Sequence, residues 1–178
     1  CEERLAVNNH GTCYDLQVMA ISTYLGRGLD FADAALRATG RLHAHFDRTG
    51  AQPEELARTE TRHYCAFNLQ SWINLARIAE VGGCDLWHGP DGAASPLGHG
   101  IDWYLALQSG DGWPFRQAHP FDPRRDASIE AAGRLLREPS LSVLAAAADV
   151  VASTAYSVMH AHDGAAPFWP LALGPRRR

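Results

Sequence analysis

Two short stretches concentrate side chains able to do acid–base or anion-binding chemistry. The first, Asn8-Asn9-His10-Gly11-Thr12-Cys13-Tyr14-Asp15, gathers amide, imidazole and hydroxyl groups just ahead of a predicted helix. Free backbone N–H groups at such an end favour an anion, so a carboxylate can dock there. Taken alone, Asn-Asn-His-Gly also reads as a plain turn built from residues that tolerate left-handed backbone. The second stretch is Glu55-Leu56-Ala57-Arg58, followed by Thr59-Glu60-Thr61-Arg62-His63-Tyr64. An unbroken helix would leave Arg58 and Tyr64 roughly 120° apart around its axis, so sharing one site requires a break near Thr59 to Thr61. The two threonines make such a break credible.

The elements that must position these groups read as helices. Over residues 13 to 25, Leu16, Met19 and Ala20 fall on one face and Val18, Ile21 and Leu25 on another, which predicts a helix covered on two sides. Thr12 and Asp15 give the T-x-x-D start pattern, with Asn8 to Gly11 as the turn leading in. A second helix is expected over 30 to 46, with Asp30 as its cap, and a short helical piece over 54 to 58 after Pro53. Tyr64 to Val81 is the strongest candidate, ended by Gly82 and Gly83. Residues 84 to 97 read as a long loop, and helices resume near 100–108, 128–137 and 141–160. Strand signals are scarce, so spacing supports a mostly helical protein, in which faces apolar on two sides fit a layered array better than a simple bundle.

Composition narrows the function classes. The 178 residues, 46% of them apolar, suit one globular domain, and no run approaches the roughly 18 apolar residues of a membrane span. A formal charge of −4 offers no general attraction for polyanions, which argues against nucleic acid as a partner. All sixteen basic residues are arginine, so Schiff-base and lysine-base mechanisms are excluded. The four cysteines, Cys1, Cys13, Cys65 and Cys84, form no C-x-x-C pair and read as buried free thiols. His43-x-His45 and His160-x-His162 look metal-like, but residues two apart on a helix point in different directions. Cys13 near His10 lacks an aligned third group for nucleophilic work. Asp15 is read as a cap, and Glu55 and Glu60 as exposed, rather than as a glycosidase carboxylate pair.

The two clusters together, NNHGTCYDLQ and then ELAR with HYCAFNLQ, resemble the alginate lyase family of helical-toroid polysaccharide lyases, over approximately Glu2 to Trp87. The resemblance implies an all-α fold: an α/α toroid, as an incomplete barrel of antiparallel helix pairs. Residues 1–178 are then one catalytic domain forming the C-terminal portion of a longer one. It implies β-elimination on alginate or a related polyuronate, with Asn9, His10, Arg58 and Tyr64 at the reacting centre. Asn8, Tyr14, Gln17, His63 and Trp87 are the expected substrate contacts. Removing the C5 proton of a uronate loads more charge onto a carboxylate that is already negative. Asn9, His10 and Arg58 suit its neutralisation, and Tyr64 suits the roles of base toward C5 and acid toward the glycosidic oxygen, with His10 the rival base for the other epimer. An ordinary phenol ionises near pH ~10, so Arg58 and His10 would have to favour the phenolate. No metal or organic cofactor is implied, and the expected partner is an acidic polysaccharide met by a secreted or periplasmic monomer. A glycoside hydrolase on a similar scaffold and a non-catalytic carbohydrate-binding helical domain are the alternatives.

Overall fold

The computed structural model describes residues 2–110, 112–123 and 126–138, and among them the fold is helical, with two isolated β-bridges and no strand. A 3-10 turn at Glu2–Leu5 leads into α1 (Asn9–Leu25), α2 (Gly28–His45), the single-turn α3 (Pro53–Leu56) and α4 (Thr61–Val81). A second 3-10 turn at Pro90–Gly92 precedes α5 (Pro96–Gln108) and α6 (Asp126–Arg137). The helix expected over 141–160 and the His160-x-His162 pair lie outside the described residues. None of the described helices is long and apolar enough to cross a membrane.

α1 and α2 form a helix pair. Gly26 takes a left-handed conformation (φ 65°) that an L side chain disfavours, and its N–H returns to the carbonyls at the end of α1. The chain therefore reverses within two residues. α4 is the central helix: Leu69, Trp72, Ile73, Leu75 and Ala76 are fully covered by α1, α5 and α6. Apolar residues on more than one face permit this, because a stripe on one side alone would leave half the helix in water. α1 differs from expectation here. Leu16 and Met19 are buried, whereas Ile21, Tyr24 and Leu25 are exposed, so only one of its two apolar faces is covered.

Polar groups also cross the core. Asp15, with a fully buried side chain, pairs with Arg37 Nε at 2.6 Å and Arg41 Nε at 2.8 Å, locking α1 to α2. The T-x-x-D pattern is therefore not the cap that the spacing suggested. The cap is Asn8, whose Oδ1 accepts the His10 N–H at 3.1 Å, and α1 begins at Asn9. Thr12 donates to Asn68 Oδ1 at 2.7 Å, Asn68 Nδ2 to Gln52 Oε1 at 2.8 Å, and Gln52 Nε2 to the Cys65 carbonyl at 3.2 Å. His45, buried beside them, accepts the Trp72 Nε1–H at 3.3 Å. Burial and the Arg41 charge bring its pKa down to about 4, so the imidazole is neutral.

Candidate active site

The two chemistry-bearing stretches meet where the first turn of α1 lies against α3. The Asn9 backbone N–H donates to Glu55 Oε1 at 2.6 Å, a buried contact between residues 46 apart in sequence. His10 and Gly11 direct their N–H groups to Asn8, at its side chain and its carbonyl. The leading N–H groups of α1 are thus all engaged within the protein. This corrects the expectation that a ligand carboxylate docks on a bare helix end: the Glu55 carboxyl already occupies that place. It also corrects the reading of Glu55 as exposed, since only 1% of its surface reaches solvent. Burial raises its pKa to about 7 against the opposing pull of the Asn9 N–H, Arg58 and His10.

Arg58 and Tyr64 come together through the break that their spacing required. α3 stops at Leu56, α4 starts at Thr61, and the Arg58 guanidinium lies over the Tyr64 ring, 3.9 Å from its centroid. The segment after α5 holds the start of α4. Thr61 N and Oγ1 donate to the Arg116 carbonyl, Arg62 N donates to Gln117 Oε1 at 2.9 Å, and Ala118 N donates to the Thr59 carbonyl. Glu60, half-buried rather than exposed, accepts from Gln117 Nε2 at 2.6 Å and lies 2.5 Å from His119 Nδ1. The His119 contact lowers its pKa against the cost of desolvation.

The remaining candidate residues spread outward from this point. The His10 side chain is about half exposed and places Nδ1 3.2 Å from Glu3 Oε1. Asn9 is 5% exposed, and its Oδ1 has no partner among the described residues. His63 stacks edge-on against Tyr64, with ring centroids 5.2 Å apart, and lies parallel to Phe67. Tyr14 is turned toward α2, with Arg37 over its ring at 5.3 Å, while Gln17 is exposed two turns beyond His10 on the same face of α1. Trp87 is 7% exposed and belongs to the apolar core, so its ring presents little face to a sugar. Cys13 lies 3.6 Å from Ser71 Oγ, and burial raises its pKa, which keeps the thiol protonated. Cys13, Cys65 and Cys84 are free thiols. No group of three metal-ligating side chains occurs among the described residues.

The alginate lyase family matches residues 1–112. The chain belongs to the alginate lyase family. The matched stretch is the N-terminal two-thirds of this chain, which corrects its assignment as the C-terminal portion of the family's domain, and it runs past the Trp87 limit drawn from motifs. Among solved structures, an alginate lyase from Bacteroides ovatus is similar with a TM-score of 0.67 and 27% identity, over 84% of this chain and 40% of that one. The chain thus spans less than half the length of that relative. A search of curated proteins finds no match.

Glu55 is the residue of this junction whose burial spacing missed. A single-turn helix has no periodicity to mark its inward face, and the acidic pair Glu54-Glu55 reads as solvated. The one available signal was its position three residues before Arg58 inside E-L-A-R.

Proposed function

We propose that this protein cleaves alginate or a related polyuronate by β-elimination, with the reacting sugar held among Asn9, His10, Arg58 and Tyr64. The observation that carries the reading is the Arg58 guanidinium lying against the Tyr64 ring on a segment bonded, through Glu55, to the Asn9–His10 turn. On this reading a fixed cation, an imidazole, an amide and a phenol serve one sugar. Membership of the alginate lyase family supports the same reading.

In this mechanism Arg58, His10 and the Asn9 amide receive the uronate carboxylate and stabilise the charge it gains as C5 loses its proton. The phenolate oxygen of Tyr64 takes that proton. The C4–O bond then breaks as the C4=C5 double bond forms, and the proton passes from Tyr64 to the departing oxygen. No water is consumed. His10, through Nε2, serves as base where the C5 proton faces the other side of the ring. Asn8, His63 and Gln17 border the region as substrate contacts, Tyr14 is a more distant one, and secretion or periplasmic export is the compartment that gives access to such polymers.

The test is incubation of the protein with several polyuronates while ultraviolet absorbance and reducing ends are followed together. A lyase raises both signals. A rise in reducing ends alone identifies a hydrolase and refutes the proposal, as does affinity without cleavage.

A further inference from the structure

We propose that Glu55 is a positioning residue of the reacting centre: its buried carboxyl holds the Asn9–His10 turn against the segment that carries Arg58. The inference rests on the lyase reading for its catalytic consequence and on the coordinates for its geometry. Glu55 Oε1 accepts the Asn9 N–H at 2.6 Å, and Asn9 and Glu55 are 5% and 1% exposed, so water does not compete for the bond. A buried bond to a carboxyl at a helix start is among the stronger hydrogen bonds available to a protein. The other carboxyl oxygen, Oε2, is buried without a partner among the described residues. An acid of this kind is not retained as packing alone, since an apolar side chain would fill the space without leaving an unpaired oxygen.

Glu55 also faces the charges of the site. From α1 it meets the Asn9 N–H, His10 and Cys13; from its own turn, Glu54 and Arg58; and from α4, Cys65. Burial leaves the acid neutral on the acidic side of about pH 7 and ionised above it. While neutral, it leaves the positive field of Arg58 undiminished for a substrate carboxylate. Ionised, it opposes that field and weakens the grip on substrate.

Glu55→Gln keeps an oxygen acceptor for Asn9 and removes the ionisation; Glu55→Ala removes both. Glu55→Ala is expected to lose turnover by about 100-fold, as befits misplacement of reacting groups, with Glu55→Gln recovering most of that loss. KM of the wild type is expected to rise on the order of 10-fold as pH passes through about 7, and that rise is expected to vanish in Glu55→Gln. A fold defect alone would lower the active fraction without moving a KM profile. Independently of activity, the Asn9 backbone amide resonance should titrate near pH 7 in the wild type and stay still in Glu55→Gln. A KM rise that persists in Glu55→Gln, or an Asn9 amide insensitive to pH in the wild type, overturns the proposal. Absence of any cleavage by the wild type refutes the lyase reading instead, and the amide titration still decides the Glu55 contact.

Discussion

Two buried titratable groups pull the stability of this fold in opposite directions, and removing one should expose the other. Burial moves His45 from 6.5 down to about 4 and Glu55 from 4.5 up to about 7. Between pH 4.5 and 6.5 the unfolded chain protonates His45 while the folded one does not, so stability climbs as pH rises. Over the same interval the folded chain keeps the Glu55 proton that the unfolded chain has released, so stability falls as pH rises, until the folded acid ionises near 7. Each slope is ~1.4 kcal/mol for each pH unit, so each group carries about 3 kcal/mol across its full range. The two nearly cancel where they overlap.

Glu55→Gln removes the falling arm. Its stability relative to wild type should therefore increase by about 3 kcal/mol between pH 4.5 and 7.5, read from urea unfolding midpoints with m unchanged. His45→Gln should do the reverse, losing the advantage that the neutral imidazole gives above pH 6.5. A difference between Glu55→Gln and wild type that stays constant across that range would refute the assignment of Glu55 as a buried acid ionising near neutrality.

Tyr64→Phe should reduce the appearance of unsaturated ends by at least ~100-fold while polyuronate binding, measured calorimetrically, survives; unchanged turnover removes Tyr64 from the mechanism. Asp15→Ala leaves Arg37 and Arg41 facing an emptied buried position and should cost about 3–5 kcal/mol in urea unfolding, with a cost below ~1 kcal/mol showing that α1 and α2 hold together without the pair. Gly11→Ala drives a Cβ into the Arg41 guanidinium and the Ala6 carbonyl, and the backbone oxygen cannot swing aside. A destabilisation of ~1–3 kcal/mol is expected, and a neutral result would show that the entry to α1 relaxes freely.

The helical class and the order of the helices were legible because periodicity reports burial directly: the expected helices over 13–25, 30–46 and 64–81 lie within a few residues of α1, α2 and α4. The break between Arg58 and Tyr64 was legible from geometry alone, since six residues on one helix could not have brought them together. What spacing could not show is which partner satisfies a polar residue. Thr12 and Asp15 fit a capping pattern, yet both are buried, and their partners Asn68, Arg37 and Arg41 are 22 to 56 residues away. The same blindness hid residues 116–118, whose carbonyl and amide groups fix the start of α4 although the segment carries no motif.

Glu55 joins these two lessons. Its side chain is chemically unremarkable, and a glutamate three residues before an arginine is ordinarily a solvated ion pair. It becomes special only because the N-terminus of α1 descends upon it, which removes water from the carboxyl and supplies an N–H in exchange. The helix end that the sequence offered as a place for a substrate anion is then closed by an internal carboxyl. On the proposed lyase reading, the substrate carboxylate is met by side chains, Arg58 and His10 foremost, rather than by backbone N–H groups. This is why substitution of Arg58 should weaken polyuronate binding more than a change at the α1 cap Asn8.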